Sequence, residues 1–229
     1  MDKKSKRYQK ALQVADLNKK YLLSEAVKTL YKMPQARFNE TIELTAHLGV
    51  DPKQTDQTVR GSVGLPHGSG RAVRVLVFTE NPEEAKVAGA EYAGLEDLIK
   101  KIEEGWMDFD VAVATSSAMK KVRSLAKILG PRGLMPNPKN GTVSDDIAKV
   151  VKEVKAGRVD FRMDKGANVA IVVGKRSFGE QEILENARVA IEALEKSKSS
   201  AIKGNFVESL SVSLTMSPSV KIDLKGLQN

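Results

Sequence analysis

The hydrophobic rhythm of this chain changes twice, and no single sheet accommodates both of its patterns. Near the start, Ile42, Leu44, Ala46 and Leu48 alternate with Thr41, Glu43, Thr45 and His47. A period of two puts the two sets on opposite sides of a strand, so this segment belongs to a sheet with one buried face. From Val73 onward the pattern differs. Val73-Arg74-Val75-Leu76-Val77-Phe78 and Phe109-Asp110-Val111-Ala112-Val113-Ala114 are short, nearly continuous apolar runs, as strands covered on both faces require. Helical patterns lie between them, and strands alternating with helices imply a small parallel unit. Past Gly157 the first rhythm returns, with Leu210, Val212 and Leu214 alternating with Ser209, Ser211, Ser213 and Thr215.

The expected fold class is therefore a discontinuous α+β domain, an antiparallel sheet with helices, plus an inserted α/β Rossmann-like domain with a parallel sheet. The first is assigned residues 1–66 and 157–229, the second residues 67–156, with crossings near Pro66–Gly70 and Ala156–Gly157. Met1 to Asn18 reads as an arm leading into a helix. Ser24 reads as the cap of a helix that runs through Leu30 and stops near Pro34. A strand is expected at Val59–Val63, then a loop from Gly64 to Gly70. In the insertion, helices are expected over Pro82–Ala90, Leu95–Glu104, Ser117–Leu129 and Asp145–Ala156, with a Gly/Pro-rich loop from Gly130 to Thr142. The last part holds a strand at Val169–Val173, a helix over Gly179–Glu195 with Ile183, Leu184, Ala187, Ala190, Ile191 and Leu194 on one face, and a strand at Ser219–Asp223.

Composition narrows the function classes. The chain lacks cysteine, so disulfides, thiolate metal sites and a cysteine nucleophile are excluded. No apolar run approaches a membrane span, and the basic start is not followed by the apolar stretch of a signal peptide. The cytoplasm is the expected compartment. Lys and Arg number 37 against 29 Asp and Glu, a net charge of +8, which attracts polyanions. Residues 67–158 carry 15 basic and 13 acidic side chains and the flanking segments 22 and 16. The split domain thus holds most of the excess positive charge and is the better phosphate-binding candidate.

Catalysis finds little support. His47 and His67 are far apart and neither stands in a known catalytic motif, so both read as structural or surface groups, and no metal or cofactor is expected. A dinucleotide site needs glycines after the first parallel strand. Here Gly64–Gly70 precedes that strand, and Phe78-Thr79-Glu80-Asn81-Pro82 after it has none. Other segments carry alternatives. The loop from Gly130 to Gly141, with Arg132 and Lys139, is either an elaborate closure of the insertion or a rigid basic finger against RNA backbone. The hydroxyls of Ser209, Ser211, Ser213 and Thr215 are either the solvated side of an edge strand or donors to phosphates and ribose hydroxyls. Arg37-Phe38 offers a cation and a ring suited to stacking, but taken alone Phe38 reads as a core residue at the start of a strand.

Several segments together carry a family likeness: Lys6-Arg7-Tyr8, Arg37-Phe38-Asn39-Glu40-Thr41, Asp56-Gln57-Thr58-Val59-Arg60-Gly61, Leu65-Pro66-His67-Gly68, Gly105-Trp106-Met107-Asp108-Phe109-Asp110, the Gly130–Gly141 loop and Thr215-Met216 before Pro218. In order and spacing they resemble the family of large-subunit ribosomal protein one, the bacterial ribosomal stalk protein, over nearly the whole chain. The resemblance implies a split domain that binds a helical junction of large-subunit rRNA, an inserted domain joined by a hinge, and no catalysis. It also implies partners beyond rRNA: deacylated tRNA leaving the ribosome at the exit site, and the mRNA of the protein's own operon, whose translation it would repress. No membrane partner is implied, and the free protein is expected to be a monomer. Carried over by motif, the RNA-contacting residues would be Arg37, Phe38, Thr41, Asp164, Lys165, Ser211, Ser213, Thr215, Met216 and Ser217, with Arg60, Arg132 and Lys139 as additional contacts.

Two positions depart from the family pattern. Ser217 stands where the family has glycine, and its Cβ is expected to alter close approach of RNA. Ala167 and Ala170 stand where the family has glycine and histidine, so the family's contacts at those two positions are not carried over. Two rival readings remain at this level: a nucleotide-dependent enzyme built on the insertion, which the missing glycine turn opposes, and a protein–protein adaptor that uses the basic helices.

Overall fold

The structure is a computed structural model that describes residues 5–54, 57–199, 202 and 204–224, all but the side chain of Lys139. Along the chain come α1 (Lys6–Val14), α2 (Leu23–Lys32), β1 (Thr41–Leu48) and β2 (Arg60–Gly64). Next are β3 (Val75–Phe78), α3 (Pro82–Val87), β4 (Tyr92–Gly94), α4 (Glu96–Glu103), β5 (Val111–Ala114), α5 (Met119–Val122), α6 (Ala126–Leu129) and α7 (Ile147–Lys155). The chain closes with β6 (Arg158–Arg162), β7 (Asn168–Lys175), α8 (Glu180–Lys196), β8 (Val207–Leu214) and β9 (Val220–Ile222). These elements form two compact units, one built from the chain up to Gly70 and from Val159 onward, the other from Arg71 to Arg158.

The split unit is organised by a four-stranded sheet in the order β7-β1-β8-β9, with β1 antiparallel to both of its neighbours. Burial along β1 alternates strictly, and Ile42, Leu44, Ala46 and Leu48 all point inward. Helix α2 buries Leu23, Ala26, Val27 and Leu30, a spacing of three and four residues that makes one apolar stripe. Helix α8 buries Ile183, Ala187, Ala190, Ile191 and Leu194 in the same core. At Gly174, φ is +151°, and an added Cβ would lie 2.6 Å from Ile183; only glycine permits α8 to pack this closely on β7.

The second unit holds a parallel sheet in the order β4-β3-β5. All four residues of β3 are buried. Leu76 and Phe78 face a cluster with Leu98, Ile102, Val122 and Leu129, whereas Val75 and Val77 face one with Ala85, Val113, Val150 and Val154. A sheet covered on both faces explains the continuous apolar runs. Val143, just past the Gly/Pro loop, pairs with Ala114 in a parallel bridge. Among the described residues, no helix is long and apolar enough to cross a membrane.

Several expectations need correction. Ser24 is not a cap: α2 begins at Leu23, and its N-cap Leu22 makes no side-chain bond. The buried Leu23 sets the first turn instead. The helix expected over Ser117–Leu129 is two short α segments joined by a 3-10 turn at Arg123–Leu125. The expected arm itself contains α1, capped by Ser5, whose hydroxyl accepts from the Tyr8 N–H at 3.3 Å. Strands β4 and β6 were not expected. The first is only three residues long, and the second, Arg-Val-Asp-Phe-Arg, pairs with β2 and buries only Phe161 outright. Neither shows a clear apolar period.

Candidate nucleic-acid interface

At one end of the four-stranded sheet, two segments far apart in sequence meet. The Thr41 N–H donates to Thr215 Oγ1 at 3.0 Å, and the Thr215 N–H donates to the Thr41 carbonyl at 3.0 Å. Lys175 Nζ donates to Thr41 Oγ1 at 2.7 Å. Residues 174 positions apart are thus fastened edge to edge. Arg37, Phe38, Thr41, Thr215, Met216 and Ser217 form one rim.

This rim exposes what a core would bury. Phe38 is 49% exposed and Met216 51%. The core reading of Phe38 is therefore wrong: the strand begins only at Thr41, so Phe38 precedes the inward–outward alternation and its ring stands in solvent beside the exposed Arg37. Gln35, Arg37, Phe38, Asn39 and Ser177 line one open groove. Another, of about 410 Å³, is lined by Ser5, Arg7, Tyr8, Thr215, Met216 and Ser217. Ser217 has no left-handed backbone. Its hydroxyl accepts from the Leu214 N–H at 3.0 Å and donates to the Pro218 carbonyl at 2.9 Å, so it staples its own turn.

Behind the rim lies a residue that the sequence reading passed over. Glu40 is fully buried. Its Oε2 accepts from the Ala36 N–H at 3.1 Å and from Arg176 Nη1 at 3.5 Å. Its Oε1 accepts from the Met216 N–H at 3.3 Å and lies 3.8 Å from Arg7 Nη1. Arg176 also donates to the carbonyls of Tyr31 and Met33. A signal was present: extending the inward set of β1 back by two residues from Ile42 lands on Glu40, a charge at a core-facing parity.

Ser213 and Ser211 continue from the rim across the polar face of the sheet, opposite Glu43 and Thr45. They do not lie on an edge strand, because β8 pairs with both β1 and β9. Asp164 and Lys165 are not brought to the rim. The β1–β7 register places Thr41 against Lys175 and His47 against Asn168, so the Asp164 turn sits at the far end of β1, roughly 20 Å away at strand rise. That turn is tightly held. Asp164 Oδ1 accepts from the Asn168 and Gly166 N–H groups, both at 2.8 Å. These bonds, the one from Asn168 foremost, hold its carboxyl below the usual value. Within the turn, Ala167 has φ of +59°, a left-handed conformation outside glycine's company. Ala170 is exposed on the polar face.

The additional candidates lie elsewhere. Arg60 begins β2, in the two-stranded ribbon with β6. Arg132 is exposed in the second unit. The side chain of Lys139 lies outside the described residues. The base of the Gly130–Gly141 loop is pinned: Asn137 N–H donates to Thr142 Oγ1 at 2.8 Å, and Arg158 bridges the Asn140 carbonyl and Glu153. The histidines have partners that spacing could not reveal. His67 meets Glu185 at 2.6 Å, and His47 meets Asn168 at 2.9 Å. The His67 bond is the largest cause of a depressed Glu185 carboxyl.

An α+β unit closed from both chain ends, with an α/β unit inserted in sequence between its two segments, defines a class of split-domain, two-unit proteins. Comparison with known proteins gives the class its particular member: residues 22–218 match the model of the ribosomal protein L1p/L10e family, and the chain belongs to that family. It is similar to the large ribosomal subunit protein uL1 of Persephonella marina (strain DSM 14350 / EX-H1), at 51% identity over 233 residues that cover 99% of this chain and 96% of that protein. It is likewise similar to the protein of that name from Kosmotoga olearia (strain ATCC BAA-1733 / DSM 21960 / TBF 19.5.1), at 48% identity and 97% coverage of both.

Proposed function

We propose that this chain is an rRNA-binding protein of the large ribosomal subunit and works in the cytoplasm, where ribosomes are. The split unit is the RNA-binding domain, and it recognises a folded RNA junction by shape and backbone contacts. The observation that carries this reading is the rim itself, where Phe38, Met216 and Arg37 all stand in solvent. A ring, a flexible thioether and a guanidinium can stack on bases or ribose and bind phosphate. Thr41, Thr215 and Ser217 shape the rim, and Ser213 and Ser211 extend it along the sheet. Asp164 and Lys165 supply a second contact at the far end, which suits an RNA that runs the length of β1.

The insertion, joined by a hinge, carries Arg132 and Lys139 toward neighbouring RNA in the stalk, with Arg60 as a further contact. The same protein then assists release of deacylated tRNA at the exit site and represses its own operon by binding a similar element in the mRNA. A filter-binding titration tests the core of this reading, with the rRNA stalk fragment against a scrambled duplex of equal length at two salt concentrations. The expected result is a strong, salt-sensitive preference for the stalk fragment. Equal, weak binding to both RNAs overturns it.

A further inference from the structure

We propose that Arg7 and Glu40 form a clasp that positions the Met216 peptide, and that α1 is thereby a working part of the RNA-facing rim. The inference rests on the RNA-binding reading above and adds to it an element that precedes the residues matched by the family model.

A fully buried carboxylate is costly unless it is paired and hydrogen-bonded, and an apolar residue in its place is often as stable. Glu40 occupies a core-facing position where an apolar side chain would serve packing. What the carboxylate provides instead is orientation. One oxygen holds the Ala36 N–H at the base of the Arg37–Phe38 segment, and the other holds the Met216 N–H. The two exposed hydrophobic groups of the rim are thus set by a single planar group.

Arg7 completes the grip. One of its nitrogens lies 3.8 Å from the Glu40 oxygen that holds Met216, and the other donates to the Met216 carbonyl at 2.9 Å. The Met216 residue is held at its N–H by Glu40 and at its carbonyl by Arg7. Arg7 in turn cannot drift, because it sits in the first turn of α1, whose Ala11 is buried in the core four residues on. Side chains of a recognition surface act when their supporting contacts lock them. Glu40 needs no contact with RNA for this role.

Titrating the stalk fragment with the full chain and its variants tests the clasp. Arg7→Ala is expected to weaken binding roughly tenfold, the worth of one charge-assisted hydrogen bond, with its circular dichroism spectrum unchanged. Glu40→Gln is expected to weaken binding while the slope of log affinity against log salt stays at the wild-type value, because a buried group neutralises no phosphate. The double variant should be no weaker than the weaker single variant. Additive losses, or wild-type affinity in both singles, overturn the clasp. If Glu40→Gln does not fold, Arg7→Lys decides. A lysine keeps the charge but not the two-pronged fork, so affinity restored by Arg7→Lys would make Arg7 a mere phosphate contact. Phe38→Ala is the control: if it binds as well as wild type, the RNA-binding reading itself fails. If it binds weakly while the Arg7 and Glu40 variants do not, only the clasp fails.

Discussion

Ala167 shows how much one residue's backbone can cost. Its φ of +59° lies where a side chain crowds the following carbonyl, at roughly 1–2 kcal/mol. The surroundings hold it there: its carbonyl accepts the Leu48 N–H at 2.9 Å and its methyl group is buried. Ala167→Gly is therefore expected to raise unfolding free energy by about 1 kcal/mol, the strain relieved less the added chain entropy. Chemical denaturation followed by circular dichroism checks this, and a loss of stability would mean that the buried methyl outweighs the strain. The family's glycine at this position made the departure legible in the sequence, but its backbone consequence was not, because φ depends on the turn that Asp164 closes. Phe38, taken alone, was misread for a related reason. An aromatic residue just before a strand usually enters the core, and only the true start of β1 at Thr41 places it outside. Glu40 was readable from parity alone, yet its partners Arg7, Arg176 and Met216 come from segments that no local pattern connects.

Among the elements, those with a strong period were read well and those built from long-range pairing were not. β1, β7, α2 and α8 follow their apolar repeats, whereas β6 exists because β2 lies beside it. The bond that fixes α8 is equally non-local. Asn186, fully buried, accepts the His67 N–H at 3.1 Å and donates to the carbonyls of Val173 and Gly68 at 2.8 and 3.1 Å. It ties the loop after β2 to both the helix and the sheet. Asn186→Ala leaves these groups unpaired and is expected to cost about 2–3 kcal/mol, read as a lower denaturation midpoint with an unchanged slope; a cost below half of that would mean that water replaces the bonds. The β6–β7 turn gives a pH prediction. The Asp164 carboxyl is depressed below 3.8 by the N–H bonds of Asn168 and Gly166. A depressed carboxyl contributes stability that is fully present above its unfolded value and is lost as pH falls through the folded one. The stability gap between wild type and Asp164→Asn should thus be constant from neutral pH to about pH 5 and shrink below about pH 4. A gap that persists in strong acid would show that the turn depends on shape rather than charge.

At the scale of the molecule, the double change of rhythm in the sequence corresponds to a chain that leaves the split unit after β2 and re-enters it at β6. These two strands pair with each other, and the Met163 N–H donates to the Val59 carbonyl at 2.9 Å. Exit and re-entry are therefore neighbours, and each unit has its own apolar clusters: the split unit's core contains no residue from Arg71–Arg158, and the two clusters of the second unit contain none from outside that span. Two units with separate cores should unfold as separate cooperative transitions. The excised fragment Arg71–Arg158 is expected to fold alone, and the split unit is expected to fold when a short Gly–Ser linker replaces that fragment. Charge then decides what the shortened protein does. The flanking segments carry 22 basic and 16 acidic residues against 15 and 13 in residues 67–158, and the rim, the polar sheet face and the Asp164 turn all lie in the split unit. Because each neutralised phosphate adds about 0.7–0.9 to the slope of log affinity against log salt, the linker variant should bind the stalk fragment with a slope within one contact of the full chain's. A slope reduced by several contacts, with the variant folded, would place the main phosphate surface on the insertion and reverse the assignment of roles between the two units.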